Sequence, residues 1–188
     1  MKVVQTDLPG CLLVEPKVFG DARGFFYESY NRDALRAHGL DVAFVQGNVS
    51  RSAQGVLRGL HYQWPNPQGK FVSVLEGEVW DVAVDIRRGS PTFGRWTAAV
   101  LNADNKRHFW IPEGFAHGFV TLSESALFAY QCTAVYDAEA DAAVAWNDAS
   151  LAIDWPIAAP SLSAKDAAAP FLPDIAPGRL PVYGGPPA

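Results

Sequence analysis

Short apolar and aromatic runs, separated by clusters of Gly, Pro, Asn and Ser, recur between residues 46 and 136, and this rhythm constrains the fold most. Many short strands at regular spacing predict a β-sandwich or a small barrel. Six Trp, six Tyr and eleven Phe also favour β-structure, since aromatic residues pack well on pleated surfaces. We therefore expect residues 1–188 to form one mainly β domain with few short helices.

Two helices and a C-terminal tail are predicted outside the strands. Asn31 is a suitable N-cap for a helix over DALRAH, and Gly39 offers the left-handed residue that follows many helices. A second short helix is predicted in SLSAKDAA, with Ser161 or Ser163 as its cap. Residues 170–188 contain six prolines and are expected to lie extended over the surface.

Strand pairing can be predicted at one place. The strands 70–75 and 78–86 are separated by Glu76 and Gly77, which is a signal for a β-hairpin.

Another predicted strand, FVQGNVS, carries on one face the polar residues Gln46, Asn48 and Ser50.

Composition excludes several classes of function. The formal net charge of −5 is spread along the chain without a basic block, which argues against nucleic-acid binding. The sequence contains no apolar run near the roughly 20 residues of a membrane helix, and its N-terminus lacks the apolar core of a signal peptide. From the missing apolar run we expect that the protein does not bind a membrane. Cys11 and Cys132 form no motif, so we also expect a reduced, cytoplasmic protein.

Charged residues occur where an apolar strand is expected, in GVLRGLHYQWPNPQGK. His61 alone would more often be a hydrogen-bonded core histidine than a catalyst. Lys70 shares its parity with Val72 and Val74, so it lies either at the strand entrance, in water, or inside the barrel with a purpose. Burying an unpaired ammonium costs several kcal/mol, so a buried Lys70 would require a partner or a function.

Arg58 has the opposite parity to His61 in a regular strand. Gly59, between them, could host a β-bulge that turns both side chains inward.

Two further strands carry candidate residues. WIPEGFAHGF places His117 and Phe119 on one face after a Pro-Gly turn, although a histidine there can also be a surface residue. ALFAYQCTAVY is typical of an aromatic core face with tyrosine hydroxyls at its rim. That face would hold Phe128, Tyr130, Cys132 and Tyr136.

The spacing Pro112-x-Gly114-x-x-His117 resembles the second motif of cupin barrels, many of which bind a metal. Cupin metal sites normally add His-x-His and a glutamate, but Tyr62 and Gln63 follow His61 here. Two histidines are a poor site for zinc or iron, which bind three or more protein ligands. We therefore predict a cupin barrel without its metal.

Several motifs together resemble one family, the dTDP-4-dehydrorhamnose 3,5-epimerases. The matching segments, in family order from about residue 19 to 166, include FGDARGFFYESY, QGNVSRSAQGVLRGLHYQ, QGKFVSVLEGEVWDVAVDIRRGSPTFG, WIPEGFAHGF, WNDASLAIDWP and LSAKD. The resemblance implies a cofactor-independent, cupin-type (jelly-roll) barrel that works as a homodimer. Its implied reaction is epimerisation at C3 and C5 of dTDP-4-dehydro-6-deoxy-D-glucose, in the synthesis of dTDP-L-rhamnose for cell-surface polysaccharide.

The resemblance also implies roles for four catalytic residues. His61 would be the base and Asp166 its orienting carboxylate, whereas without the family Asp166 would be interpreted as a helix N-terminal carboxylate in a loop. Lys70 would stabilise the enolate oxygen, and Tyr130 would deliver a proton from the opposite face. Histidine suits the base role because its unperturbed pKa lies near neutrality.

The implied substrate-binding residues are more numerous. Arg23 and Phe25 would reach across the dimer interface. Arg23 and Arg58 would bind phosphate, and Phe25 and Tyr136 would sandwich the thymine. Asp141 is a further implied binding residue, and it is one methylene shorter than the glutamate that the family commonly has at this position. The remaining positions are Glu28, Gln46, Asn48, His117, Phe119 and Lys165.

Three alternatives remain open at this point. A single-centre 3-epimerase acting on a related dTDP-4-keto-6-deoxyhexose would share most of these residues. A metal cupin would need further ligands near His61 and His117. A barrel that only binds a sugar nucleotide would have lost the base or the acid.

Overall fold

The computed structural model describes residues 1–184, which fold into two antiparallel sheets and a separate hairpin. The first sheet has the strand order β1 (Lys2–Gln5), β2 (Leu12–Glu15), β10 (His108–Ile111), β7 (Lys70–Glu76), β12 (Ser125–Cys132) and β5 (Gln46–Ala53). The second has the order β13 (Asp141–Ala143), β6 (Leu57–Gln63), β11 (Phe115–Thr121), β8 (Glu78–Asp85) and β9 (Trp96–Asn102). The predicted sandwich or barrel of many short strands is confirmed.

The main core lies between the two sheets. Val72 and Phe128 of the first sheet belong to one buried cluster with Val79 and Phe119 of the second. The rings of Phe119 and Phe128 stack with their centroids 4.1 Å apart, which brings β11 and β12 into direct contact. Both rings also line a polar cavity between the sheets, so the apolar core supports that cavity.

Each sheet also has a covered outer face. Helix α1 (Arg32–Arg36) buries Leu35 against the first sheet, beside Phe71 and Trp110. The C-terminal segment covers the second sheet, where Leu172 and Leu180 pack with residues of β6, β8 and β11.

The predicted helices are present with shorter bounds. The side chain of Asn31 accepts a hydrogen bond from the backbone N–H of Ala34, so Asn31 is the N-cap of α1. Gly39 has φ +87°, as predicted for a left-handed residue, but the helix already ends at Arg36. Ser163, one of the two predicted caps, is the N-cap of α2 (Ala164–Ala167).

Two of the predictions were wrong. Strands β7 and β8 form no hairpin, because β7 pairs with β10 and β12 while β8 pairs with β9 and β11. The turn at Gly77 therefore carries the chain from one sheet to the other.

The C-terminal tail is not simply extended. Leu172–Asp174 and Pro177–Arg179 form 3₁₀ turns, and the buried Leu172 and Leu180 anchor them. Residues 185–188 of the predicted tail lie outside the described part of the chain.

Strands β3 (Val18–Asp21) and β4 (Gly24–Tyr27) form a hairpin that pairs with neither sheet. Phe19, Phe25 and Phe26 on this hairpin are all more than half exposed. In the described residues there is no helix of the length and hydropathy that crossing a membrane would require.

Candidate active site

A cavity of about 150 Å³ opens between the two sheets. Strands from both sheets supply its walls, so the site exists only when the sheets are packed together. Its lining consists of Ser50, Arg58, His61, Lys70, His117, Phe119, Phe128 and Tyr130. Three predicted catalytic residues thus share one cavity, and the fourth, Asp166, contacts it through His61.

The predicted bulge at Gly59 is confirmed. His61 pairs with His117 and Arg58 pairs with Phe119, so β6 has one residue more than β11 between these pairs. Gly59 has φ +135°, and a Cβ there would lie 2.5 Å from the Cα of Gly118. Glycine is therefore required by both the backbone conformation and the close approach of β11. The bulge lets Arg58 and His61 face the same cavity despite their odd spacing.

His61 forms a dyad with Asp166. The Nε2 atom of His61 lies 2.6 Å from Oδ1 of Asp166, and the Asp166 residue is 4 % exposed. Burial raises the pKa of the Asp166 carboxyl, but hydrogen bonds from His61 and Ser163 outweigh burial and hold that pKa below its usual range. An ionised carboxylate only accepts, so Nε2 carries the proton and a neutral His61 has its lone pair on Nδ1.

A second histidine–aspartate pair lies next to the first. The Nε2 atom of His117 is 3.0 Å from both carboxylate oxygens of Asp81, and both residues are buried. Burial lowers the pKa of His117 and raises that of Asp81, which favours the uncharged form of each. Sequence reasoning missed Asp81, although its parity with the inward-facing Val79 and Ala83 was a usable signal.

These histidines are held by carboxylates and do not converge with further metal ligands. Among residues 1–184, no three His, Cys, Asp or Glu side chains lie close enough together to hold a metal ion.

Lys70 is one of two basic residues that line the cavity, together with Arg58. It is the first residue of β7, and its side chain shares the cavity with His61, His117 and Tyr130. Burial lowers the pKa of Lys70, and the nearby acidic groups of Cys132, Asp141 and Asp81 offset this effect only in part. Within the described residues the ammonium forms no ion pair. It is thus available to an anionic ligand.

Tyr130 and Arg58 complete the cavity. Burial raises the pKa of the Tyr130 hydroxyl, which the Arg58 guanidinium offsets only in part. Tyr130 therefore stays protonated well beyond neutral pH. The Nε of Arg58 donates to Oγ of the buried Ser52 at 3.0 Å, while the exposed Arg58 can still reach a ligand at the rim.

Five predicted binding residues form a polar network beside α2. Gln46 Nε2 donates to Asn48 at 3.0 Å, and Gln46 Oε1 accepts from the backbone N–H of Tyr136 at 2.7 Å. The hydroxyl of Tyr136 donates to Asp141 Oδ2 at 3.1 Å, and Lys165 forms an ion pair with the same oxygen. Asp141 therefore ties Tyr136 to Lys165, and both Lys165 and Asp166 belong to α2.

The prediction that Tyr136 belongs to the aromatic face of β12 was wrong. Phe128, Tyr130 and Cys132 lie at alternate positions of β12, but that strand ends at Cys132. Tyr136 lies in the following loop, with 57 % of its surface exposed.

Three predicted binding residues lie on or beside the β3–β4 hairpin, outside both the cavity lining and the polar network of their own chain. Arg23 and Phe25 lie on the β3–β4 hairpin, and the exposed Glu28 follows it. The Arg23 side chain is 90 % exposed and forms an ion pair with Asp21 of the same hairpin. Phe25 is 63 % exposed, with the Lys106 ammonium 4.2 Å from its ring centre.

The sequence of this chain matches one family of known proteins. The sequence model of the family described as dTDP-4-dehydrorhamnose 3,5-epimerase matches residues 5–174. The dTDP-4-dehydrorhamnose 3,5-epimerase of Pseudomonas aeruginosa is 58% identical over 168 residues, which are 88% of this chain and 93% of that protein. The Salmonella typhimurium protein of the same name is 56% identical over 175 residues, 92% of this chain and 96% of that protein.

A solved structure agrees with these relatives. The crystal structure of dTDP-6-deoxy-D-glucose-3,5-epimerase from Legionella pneumophila, in complex with dTDP-4-keto-L-rhamnose, matches with a TM-score of 0.95 and 52% sequence identity. The match covers 98% of this chain and 99% of that chain.

Proposed function

The chain belongs to the dTDP-4-dehydrorhamnose 3,5-epimerase family, and we propose that its cavity inverts C3 and C5 of dTDP-4-dehydro-6-deoxy-D-glucose to give dTDP-4-dehydro-L-rhamnose. The chain is therefore an isomerase of dTDP-L-rhamnose biosynthesis. The names of its relatives and the ligand of the Legionella structure favour this double inversion over inversion of C3 alone. The mainly β, cupin-type fold predicted from the sequence is confirmed by the same likeness.

One observation carries the proposed mechanism: a base dyad, a cation and a tyrosine hydroxyl share a cavity between two sheets. A ketone at C4 acidifies the protons on the two carbons beside it. A base can remove one of these protons and leave an enolate, and a proton delivered to the other face inverts the centre. This chemistry needs a base and an acid on opposite sides of the sugar ring.

His61 is the proposed base. Its Nε2–H is held by the Asp166 carboxylate, so Nδ1 is the nitrogen that takes the proton from carbon. The ionised Asp166 stabilises the imidazolium that forms, and it orients the ring without itself taking up a proton. The His61 side chain is 33% exposed, so its proton can exchange with solvent between turnovers.

Lys70 and Tyr130 are the proposed enolate stabiliser and acid. The unpaired ammonium of Lys70 would lie against the C4 oxygen, where negative charge develops. Burial keeps Tyr130 protonated, so its hydroxyl is available to protonate the enolate. His117 would contact the sugar-phosphate side of the substrate, with Phe119 beside it.

The nucleotide is proposed to bind between Arg58 and the polar network beside α2. Arg58 would bind a phosphate through its planar donors, and Tyr136 would stack on the thymine. Gln46, Asn48 and Lys165 would contact the nucleotide or sugar. Asp141 acts here by holding Tyr136 and Lys165, which is a sufficient role without direct contact with substrate.

We propose a homodimer in which the hairpin of each protomer completes the site of the other. The exposed Phe19, Phe25 and Phe26 form an apolar surface of the kind that usually marks an interface. Arg23, Phe25 and Glu28 would then reach the partner's cavity, where Phe25 would stack on the thymine opposite Tyr136. A cytoplasmic location is proposed as well, since Cys11 and Cys132 are free thiols.

The proposed function predicts two solvent protons per turnover. Incubation with dTDP-4-keto-6-deoxyglucose in heavy water should give a product with deuterium at both C3 and C5, because each centre is reprotonated from a group that exchanges with solvent. Mass spectrometry of the sugar measures the incorporation. One deuteron would indicate a single-centre epimerase, and a bound ligand without any deuterium would contradict the enzymatic function.

The shared-site dimer predicts complementation between two inactive variants. One protomer would carry Arg23→Ala with Phe25→Ala, and the other His61→Ala. In a mixed dimer one site carries all the defects and the other carries none, so the purified mixed dimer should show about half of wild-type activity. Co-expression with two tags and purification of the mixed dimer allows the measurement.

The control is a mixed dimer of two differently tagged His61→Ala protomers, which should stay inactive. If the hairpin served its own cavity, both sites of the first mixed dimer would be defective. No recovered activity in a verified mixed dimer would therefore overturn the shared site.

A further inference from the structure

Ser163 makes two hydrogen bonds to the residue that orients His61. Its Oγ donates to Oδ2 of Asp166 at 2.8 Å, while Oδ1 of the same carboxylate is engaged by His61 at 2.6 Å. Its Oγ also accepts from the backbone N–H of Asp166 at 3.1 Å, which is the N-cap contact of α2. Both the backbone and the side chain of Asp166 are thus fixed by one hydroxyl.

This contact matters because α2 has only four residues, Ala164–Ala167. A helix of one turn has little stability of its own and depends on its cap and its tertiary contacts. The terminal torsion of an aspartate side chain is also soft, so a carboxylate held at one oxygen can rotate. With Oδ2 held by Ser163, the other oxygen stays directed at Nε2 of His61.

We propose that Ser163 is a positioning residue for catalysis, whose hydroxyl proton holds Asp166 in the orientation that places Nδ1 of His61 at the substrate. The proposal rests on the proposed function of His61 as the base. Ser163 acts through Asp166 and does not itself contact the substrate. Capping of α2 requires only that Oγ of Ser163 accepts from the backbone N–H of Asp166. Positioning of the Asp166 carboxylate also requires that the hydroxyl donates its proton to Oδ2.

Three variants of Ser163 separate these two roles. Ser163→Asp keeps an oxygen that can cap α2, since Asp is a good N-cap, but it removes the donor and places a negative charge against Asp166. Ser163→Thr keeps both the donor and the acceptor. Ser163→Ala removes both. Ser161→Ala is the matched control, because Ser161 is exposed and its hydroxyl forms no hydrogen bond within residues 1–184.

Steady-state kinetics of the purified enzymes, with melting temperatures, test the proposal. We expect kcat to fall about tenfold in Ser163→Ala and further in Ser163→Asp, with KM changed less than about twofold, because a charge-assisted hydrogen bond is lost. Ser163→Thr should restore kcat to within about threefold of wild type. Ser161→Ala should match the wild type.

Wild-type kcat in Ser163→Asp would overturn the proposal, since a cap would then suffice. It would equally be overturned if Ser163→Ala lowered the melting temperature but left kcat unchanged below that temperature. Failure of the proposed function is distinguishable, because His61→Ala would then remain active. An inactive His61→Ala together with a fully active Ser163→Asp would contradict the role of Ser163 alone.

Discussion

Replacing His61 with alanine is expected to lower kcat about a thousandfold while the protein keeps its fold and its affinity for the nucleotide. The imidazole is the cavity's proposed proton acceptor, and general bases of this kind contribute roughly 10²- to 10⁴-fold to rate. Removing it leaves Lys70, Tyr130 and Arg58 in place, so substrate still binds. The measurement is kcat for formation of the epimerised sugar, with deuterium exchange at C3 and C5 followed in parallel.

Exchange and turnover should fall together in His61→Ala, because both begin with removal of the same proton. His38→Ala is the matched control, since His38 is exposed just after helix α1. Retained exchange at the wild-type rate would show that another group is the base. The neighbouring His117, paired with Asp81, would then be the first residue to replace.

The effects of replacing Asp166 and His61 on kcat should be strongly non-additive. Because the carboxylate acts through the imidazole, its removal should matter little once the imidazole is absent. The double variant of His61 and Asp166 should therefore be about as slow as His61→Ala alone, which distinguishes a dyad from two independent residues.

The sequence was most informative where local chemistry alone determines the outcome. Gly59 between Arg58 and His61 predicts the bulge, because the odd spacing of two polar side chains needs one extra residue in β6. Asn31 predicts its cap for a similar reason, since a short polar side chain satisfies helix N–H groups within its own turn. The same reasoning left Ser161 and Ser163 as two candidate caps for α2, and the cap is Ser163.

Long-range pairing could not be predicted in the same way. The turn at Gly77 has the signature of a hairpin, but a turn fixes only its own backbone and not the partners of the strands beside it. The parity of Asp81 indicates only that its side chain faces inward, whereas its partner, His117, lies on a neighbouring strand that the sequence does not identify. The exposed Arg23 lies on a hairpin outside both sheets, and the role proposed for it requires a second chain.

Tyr130→Phe is expected to separate proton exchange from inversion. Formation of the epimerised sugar should fall about 10²- to 10³-fold, because the ring keeps its packing against Phe128 while the proton donor is lost. His61 is intact in this variant and can still remove a proton from the substrate. Since the His61 side chain is partly exposed, the deuteron it acquires from heavy water can return to the same face.

The recovered substrate should therefore carry deuterium without having changed configuration. Mass spectrometry and NMR of the unreacted sugar measure label and configuration together. Tyr183→Phe is the matched control, because this exposed tyrosine packs on Arg87, a residue outside the cavity lining. Wild-type turnover at both carbons in Tyr130→Phe would contradict the acid assignment.

A fall in both exchange and turnover would contradict the separate roles of His61, which removes the proton, and Tyr130, which delivers one to the opposite face. It would show that Tyr130 is needed before the enolate forms. Exchange without inversion would instead show that the base acts alone on its face. It would also show that Lys70 suffices to stabilise the enolate during the return of the proton. The Tyr130 hydroxyl would then be required only for the step that inverts the centre.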